Sequence, residues 1–215
     1  MRPSSLERRA MLAATAGAIF GMQGCGSLIP TLHPEAPAAG GADSSRLLLV
    51  GRFDVIPPIG PGEQKIRPGS FGLDPADIRG KLYQRAVLYL AASPSATREG
   101  SAHYINPRLG EWFGFWVPRE HRHVTEAQIV MDFQPVITSR RHAHVNTSEI
   151  LLPAPLSLDF QPQDAAVYIG TWRIWRDEFN SVTRIQAIQE AAEARTAAKR
   201  LAGREISVRL AIPRL

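Results

Sequence analysis

Short runs of apolar residues alternate with connections rich in proline and glycine from residue 46 to the end of the chain. Runs of this length, bounded by such breakers, predict β-strands. We predict eight strands, at residues 46–56, 86–92, 111–117, 126–133, 136–145, 156–160, 166–175 and 206–212. The strand–helix–strand alternation typical of parallel sheets does not appear. The pattern therefore favours a mainly β fold, either an antiparallel sandwich or an open barrel.

One late segment has helical spacing instead. Residues 183–202, TRIQAIQEAAEARTAAKRLA, are rich in alanine, with apolar positions three or four residues apart, and predict a helix. Ser181 or Thr183 can cap its start, and Gly203 can end it. Its first part, residues 182–188, also alternates and could instead extend the sheet. Either way, the alanine face of the helix has to pack on the sandwich.

Two connections between the predicted strands are long, at residues 60–83 and 93–110. The first could hold a short helical turn at residues 75–80. Connections of this length inside a compact domain are usually functional or mobile. We expect the second to span one edge of the sandwich.

The N-terminal segment has a different pattern. Residues 1–9 carry three arginines and one glutamate, and residues 10–21 follow without a charge. The apolar run is too short to span a bilayer, which takes about 20 residues, but its length suits an export signal. Residues 26–45 are rich in proline, glycine, alanine and serine, and predict a flexible tether.

Cys25 is the only cysteine in the chain and lies directly after the apolar run. The stretch Met22-Gln23-Gly24-Cys25 resembles the lipobox of bacterial lipoproteins, with methionine where leucine is usual and glutamine where a small residue is usual. The resemblance implies cleavage after Gly24, acylation of the Cys25 thiol by chains such as palmitate, and stable anchoring to a membrane. The alternatives for Cys25 are a buried cysteine or a reactive free thiol.

Two further features of this segment concern export and sorting. Arg8 and Arg9, followed by apolar residues, resemble a twin-arginine export signal, so the twin-arginine and the general secretory routes both stay open. Gly26 follows the cysteine where aspartate would imply retention at the inner membrane. The resemblance to lipoproteins thus implies the outer membrane, with the protein facing the periplasm.

These observations divide the chain into three parts: a signal peptide (1–24), a lipidated N-terminus with its tether (25–45) and a β-sandwich domain with a late helix (46–215). The proline pair after the first predicted strand and the stretch VYIGTW loosely resemble the transthyretin-like and immunoglobulin-like sandwiches of envelope lipoproteins. That resemblance is architectural and implies no function.

Composition narrows the classes of function. The chain has 215 residues and a formal net charge of +5, and part of that excess lies in the signal segment. A single cysteine excludes a disulfide within the chain. The basic residues are scattered, and no nucleic-acid-binding motif is present, so we expect no nucleic-acid partner.

Two His-x-His pairs are the candidate metal ligands: His121 with His123, and His142 with His144. Residues two apart on a strand share a face, so four imidazoles from neighbouring strands could bind copper, zinc or nickel. Arginines crowd the same segments and oppose a dication. The alternative is that these are polar-face histidines on adjacent strands.

Tryptophans supply a second candidate site. Trp172, Trp175 and Arg176 combine residue types that are common in protein contact surfaces, and an exposed Trp112 or Trp172 could stack on a glycan. Most of these rings are nonetheless expected in the core, because large aromatic side chains dominate core burial.

We find no catalytic motif: Gly-x-Ser-x-Gly, a phosphate-binding Walker loop and His-Glu-x-x-His are all missing from the sequence. We therefore expect no enzymatic activity and no cofactor. The predicted function is a non-catalytic binding or structural role in a cell-envelope assembly, with the membrane and an envelope protein as partners. The alternative is a ligand-binding module for a metal or a glycan.

Overall fold

The computed structural model describes residues 45–67, 75–96, 103–139 and 142–213, which form a mainly β sandwich with a late helix, as predicted. The elements are β1 (Arg46–Ile56), β2 (Lys65–Ile66), α1 (Pro75–Leu82), β3 (Val87–Ala91), β4 (His103–Ile105), β5 (Trp112–Pro118), β6 (His123–Ser139), β7 (His142–Leu151), β8 (Leu156–Ser157), β9 (Ala166–Arg176), β10 (Val182–Ile188), α2 (Ala191–Ala202) and β11 (Val208–Leu210). Cys25, the lipobox-like stretch and the tether lie outside the described residues.

The strands form two sheets of five and six strands. The first sheet has the order β10-β9-β1-β5, and β11 lies beside the first half of β9. In the second sheet β6 is central: it pairs with β3 and β2 along one edge, and with β8 and β7 along the other. Both sheets are mixed rather than wholly antiparallel, because β1 and β11 run parallel to β9, and β2 runs parallel to β6.

The core lies between the two sheets and follows from the alternation of side chains along each strand. Leu47, Leu49 and Phe53 of β1 face inward and are at most 5% exposed. They pack with inward residues of the second sheet such as Leu88 and Ile129. The predicted first strand, 46–56, matches β1 at both ends.

A β-bulge changes the phase of β9. Val167 and Ile169 face the core in its first half, whereas Trp172 and Ile174 face it in the second half. Gly170 lies between them with φ of +108°, a conformation that residues with a side chain rarely adopt. The extra residue therefore moves the inward positions from odd to even numbers.

Helix α2 covers the outer face of the first sheet. Its buried residues are Ala194, Ala197 and Ala198, and they pack with Leu48 and Val50, the outward residues of β1. Small side chains let the helix lie close to the sheet. The expectation that the alanine face packs on the sandwich is confirmed.

The start of the helix differs from the first of the two predictions. Residues 182–188 form strand β10, so the alternative that they extend the sheet is confirmed and the helix begins only at Ala191. At this start, the Glu190 carboxylate accepts a hydrogen bond from the hydroxyl of Thr171, and the Glu190 amide donates to the hydroxyl of Tyr168. Gly203 ends the helix with φ of +68°, as predicted.

The segment predicted as one strand at 136–145 belongs to two strands. β6 continues to Ser139 and β7 begins at His142, and these two residues pair across the reversal of the chain. The sequence there has no glycine or proline to mark a turn, so its alternation resembles one continuous strand.

Among the predicted features of the long connections, the helical turn at 75–80 is confirmed as part of α1.

In the parts of the chain that the structure describes, neither helix is long and apolar enough to cross a membrane.

Candidate anion-binding cleft

A cleft of about 630 Å³ lies beside α1, and several of the described residues that line it are charged. Three of its lining residues are arginines, Arg79, Arg85 and Arg108, and one is acidic, Glu111. The remaining wall is formed by Ala76, Gly80, Tyr83, Gln84 and Leu109. A volume of this size accommodates a small organic ligand.

A buried glutamine, Gln64, holds in place the part of the cleft wall formed by the residues that directly follow α1. Gln64 is 6% exposed, and its amide nitrogen donates to the Val130 carbonyl on β6 (2.8 Å) and to the Leu82 carbonyl at the end of α1 (3.4 Å). Its amide oxygen accepts the backbone N–H of Gln84 (2.7 Å), which has φ of +56°. The left-handed turn at Gln84 thus stays in place because a buried side chain satisfies its backbone.

A second set of contacts brings Arg85 and Arg108 together. The two residues form an isolated antiparallel β-bridge, although they come from different connections of the chain. The Arg85 guanidinium donates to the Asn106 carbonyl (2.7 Å), and the Leu109 N–H donates to the Gln84 carbonyl (2.9 Å). The backbone therefore holds two arginines next to each other.

The remaining charged groups lie around this bridge. The guanidinium carbon of Arg79 lies 4.8 Å from the centre of the Tyr83 ring, a cation–π contact. Arg108 lies 3.7 Å from the carboxylate of Glu111, and both of these side chains are more than half exposed. An exposed pair at this distance contributes little to stability.

The surroundings of Arg85 in the cleft disfavour its charged form. Burial lowers the pKa of the Arg85 guanidinium below its ordinary value, and the positive charge of Arg108 lowers it further, while Glu111 offsets part of the effect. Arginine remains protonated at neutral pH even so. A bound anion would relieve the repulsion between the two guanidinium groups.

These side chains have the chemistry of binding. Guanidinium groups recognise carboxylates and phosphates by paired N–H donors. The lining residues described here include no histidine, cysteine, serine or aspartate, and most of their charge is carried by guanidinium groups. The cleft is suited to holding an anion.

The sequence does not predict this cleft. Arg79, Arg85 and Arg108 are spread over three segments with no motif spacing, so no local pattern connects them. The pairing of residue 85 with residue 108 brings two of these arginines together, and the helix α1 carries the third. The one signal in the sequence was the unusual length of the connections at 60–83 and 93–110, which supply all of the lining except Arg85, Gln84 and Glu111.

The predicted histidine pair at the start of β6 contacts two different neighbours. The rings of His121 and His103 lie 5.9 Å apart, and Nδ1 of His121 is buried without a hydrogen-bond partner. His123 Nδ1 instead lies 3.1 Å from the Ser157 hydroxyl. His103 was not among the predicted residues, because only the pairing of β4 with β3 brings it close.

The two His-x-His pairs do not converge. His123 pairs with Ser157 at the start of β6, whereas His142 and His144 pair with Ser139 and Val136 at its far end. A strand rises about 3.3 Å per residue, so roughly 40 Å of strand separates the two positions. The register therefore does not place the two pairs opposite each other on neighbouring strands, and a four-histidine site stays a prediction. No group of three or more His, Cys, Asp or Glu side chains within the described residues could hold a metal ion.

Of the two tryptophans in the predicted contact surface, one is buried and the other is half-buried. Trp172 is 2% exposed, packs in the core and donates its indole N–H to the Ile169 carbonyl (2.9 Å). The phase change at Gly170 is the reason for its inward position. Trp175 is half-buried, with the guanidinium of Arg184 4.7 Å from the ring centre. Trp172 is therefore unavailable for protein contact or glycan stacking.

Arg176, the third member, is a structural residue. Its side chain is 5% exposed and forms an ion pair with Glu63 (2.6 Å). It also donates to the carbonyls of Pro57 (3.1 Å) and Pro58 (3.0 Å), and to the side chain of Asn180. These contacts fasten the end of β9 to the segment that follows β1.

Trp112 is half-buried and lines a groove of about 380 Å³ against α2. Its ring contacts that of Tyr168, with 5.7 Å between ring centres. The charged lining residues of this groove are Glu193 and Arg200, which balance each other. Its electrostatics therefore favour neither cations nor anions.

A second structural arginine lies on β11. Arg209 forms a paired contact with the carboxylate of Asp164, at 2.8 Å for both closest N–O distances, and also contacts Asp159 (3.0 Å). Burial alone would raise the pKa of Asp164, but hydrogen bonds from Arg209 and the Gln161 N–H, with the charges of Arg209 and Arg119, lower it overall. The Asp164 contacts raise the pKa of Arg209 correspondingly.

Comparison of the chain with protein-family models, with curated proteins and with solved structures found no match in any of the three.

Proposed function

We propose that this chain is a lipid-anchored protein of the bacterial cell envelope with a non-catalytic binding role, and that its cleft holds an acidic group of its ligand or partner. The observation that carries the binding role is the cleft itself. Three arginines line it against one glutamate, and two of them are held side by side by backbone pairing.

The location in the cell is supported by the N-terminal sequence. A basic segment, a short apolar run and the Gly24-Cys25 pair are the features that a lipoprotein signal requires. Acylation at Cys25 would tether the domain through residues 26–45 to the outer membrane, on the periplasmic side. The absence of aspartate after the cysteine supports that sorting.

A binding role agrees with the chemistry of the cleft. Catalysis of hydrolysis or group transfer needs a nucleophile or a general base within reach of the reacting atoms. The polar groups of the described lining are three arginines, one glutamine, one tyrosine and one exposed carboxylate, Glu111, which lies beside Arg108. In an envelope assembly, the arginines of the cleft would bind acidic side chains of a partner protein.

The test is crosslinking in bacterial cells that make the full chain, followed by identification of the captured protein. Cys25→Ala removes the anchor, and the double variant Arg85→Gln/Arg108→Gln removes the charge of the cleft. Arg195→Gln, an exposed arginine on α2, is the matched control. We expect one envelope protein to be captured by the parent and the control, and lost in both test variants.

Two results would contradict the proposal. If membrane fractionation finds the parent and Cys25→Ala equally soluble, the chain has no lipid anchor at Cys25. Capture that is unchanged in the arginine double variant would remove the cleft from the binding surface.

A further inference from the structure

The charge of the cleft identifies the class of anion that fits it. Among the described lining residues, three arginines and Glu111 give a net charge of +2. A carboxylate, a sulfate ester or a phosphate diester carries one negative charge and leaves one positive charge without compensation. A phosphate monoester carries close to two negative charges at neutral pH, because its second pKa is about 6.

We infer that the cleft binds a phosphate monoester. The inference rests on the proposed function, because it names the ligand class of the same cleft. Arg85 and Arg108 hold the phosphate oxygens, and the positive charge of Arg79 lies at the tyrosine wall beside them.

The donor geometry supports this assignment. The contact of Arg85 with the Asn106 carbonyl uses one N–H and fixes the plane of the guanidinium, which leaves its other donors for an anion. Arg108 faces only a distant carboxylate at 3.7 Å, so its donors are also accessible. Two guanidinium groups held side by side can donate to several oxygens of one phosphate.

The volume of the cleft indicates that the ligand is larger than a bare phosphate ion. About 630 Å³ is far more than the space of one phosphate, and the ring of Tyr83 with the side chains of Leu109 and Ala76 gives part of the wall an apolar surface. The alcohol part of a phosphate monoester would occupy this part. It can belong to a small soluble molecule or to a lipid headgroup.

The experiment compares phenyl phosphate with phenyl sulfate in calorimetric titrations of the purified full chain. The two probes have the same ring and a tetrahedral anion, but they differ by one charge. We expect phenyl phosphate to bind at least about tenfold more tightly than phenyl sulfate. We also expect Arg85→Gln/Arg108→Gln to weaken phenyl phosphate at least about tenfold, and Arg195→Gln to leave it unchanged.

Lipid vesicles distinguish the two sources of the phosphate. Phosphatidylcholine vesicles that contain phosphatidic acid present a phosphate monoester, and vesicles with phosphatidylglycerol present a diester. The phosphatidylglycerol content is set so that the surface charges match. Arginine-dependent binding to the first vesicles and not to phenyl phosphate assigns the site to a lipid headgroup, and the reverse assigns it to a soluble ligand.

Several outcomes would overturn the inference. Measurable and equal affinity for phenyl phosphate and phenyl sulfate, or measurable and equal arginine-dependent binding to both kinds of vesicle, would exclude selection for a monoester while leaving a general anion site intact. Binding that persists in the arginine double variant, with circular dichroism showing that the variant is folded, would place the phosphate elsewhere. If neither probe binds and neither kind of vesicle binds, the cleft is not a phosphate site. The proposed function is then tested separately, by whether capture of a partner depends on the two arginines.

Discussion

The arginines of this domain occupy two kinds of environment. Arg176 and Arg209 face carboxylates at 2.6–3.0 Å and donate their remaining N–H groups to backbone carbonyls. In the cleft, Arg85 and Arg108 instead face each other. The same side chain therefore stabilises the fold where its donors are satisfied, and is available for a ligand where its charge is not.

The comparison also explains why burial alone does not identify a functional arginine. Arg176 is the most buried arginine described in detail, yet all of its contacts are internal. The cleft arginines are half-buried or exposed and have fewer partners. Substitutions in the two regions should consequently have opposite signatures, one in stability and the other in binding.

The largest loss of stability is expected from Arg176→Ala. The change leaves the carbonyls of Pro57 and Pro58 without donors and creates a cavity, so we expect the free energy of unfolding to fall by about 3 kcal/mol. Glu63→Gln should cost about 1 kcal/mol or less, because the glutamine keeps an oxygen that can accept from Arg176 and Glu63 is itself 43% exposed. Urea denaturation measures both, and a loss below about 1 kcal/mol for Arg176→Ala would show that the contact is not structural.

Asp164→Asn is expected to cost about 2 kcal/mol of the free energy of unfolding. The asparagine retains an acceptor for the Gln161 N–H but loses the charge that faces Arg209. Because Arg209 is 31% exposed, water can hydrate it in the variant, and the cost stays below that of Arg176→Ala. Arg204→Gln, an exposed arginine, serves as the control in the same urea titrations.

The same carboxylate gives the domain a predictable dependence on pH. The folded protein holds the pKa of Asp164 below its ordinary value of 3.8, so the contribution of this group to stability is complete above that value. The contribution is lost as the pH falls from 3.8 through the lower pKa of the folded state. Unfolding free energies measured downward from pH 5 should therefore decline more steeply in the parent than in Asp164→Asn. Parallel curves would show that another carboxylate is responsible.

Arg85→Gln should change stability by less than about 1 kcal/mol. The variant loses the hydrogen bond to the Asn106 carbonyl, but it also removes the repulsion from Arg108, and the two effects have opposite signs. Thermal or urea unfolding measures the balance. A loss comparable to that of Arg176→Ala would show that Arg85 stabilises the fold in the way that Arg176 does.

The smallest effect is expected from Arg108→Gln. Its ion pair with Glu111 is long and exposed, so the free energy of unfolding should stay within about 0.5 kcal/mol of the parent value. Affinity for phenyl phosphate should fall nonetheless. The pairing of an unchanged stability with a weakened affinity is the result that separates the cleft from the Asp164 region.

Much of the fold could be predicted because local patterns were strong. The apolar run ended by Pro57 and Pro58 predicted β1 to the residue, and the alanines of residues 191–202 predicted a helix that packs on the sheet. Where two patterns competed, as at residues 182–188, the sequence left two alternatives, and pairing with β9 decides between them. The reversal after Ser139 was missed because no breaker residue marks it.

The sites could not be predicted in the same way, because they depend on contacts between distant segments. Trp172 and Arg176 were expected at a surface, but the bulge at Gly170 and the contact with Glu63 place them inside. The cleft depends on the bridge between residues 85 and 108 and on Gln64, whose buried position nothing in the local sequence indicates. The sequence shows which residues are arginines. Only the contacts between distant segments show which arginines are paired with carboxylates and which can still bind a ligand.

The parallel pairing of β1 with β9 determines when the domain can fold. Leu48 pairs with Ala166, and about 120 residues separate the two positions along the chain, so the central contact of the first sheet forms only after most of the polypeptide is present. Before that, a growing or emerging chain has β5 as the described partner of β1. A chain cut anywhere between the two strands keeps one edge of β1 open, and it also lacks α2, which packs on Leu48 and Val50. Open strand edges are where polypeptides aggregate, so synthesis has to pass residue 202 before both the edge and the outer face of β1 are covered.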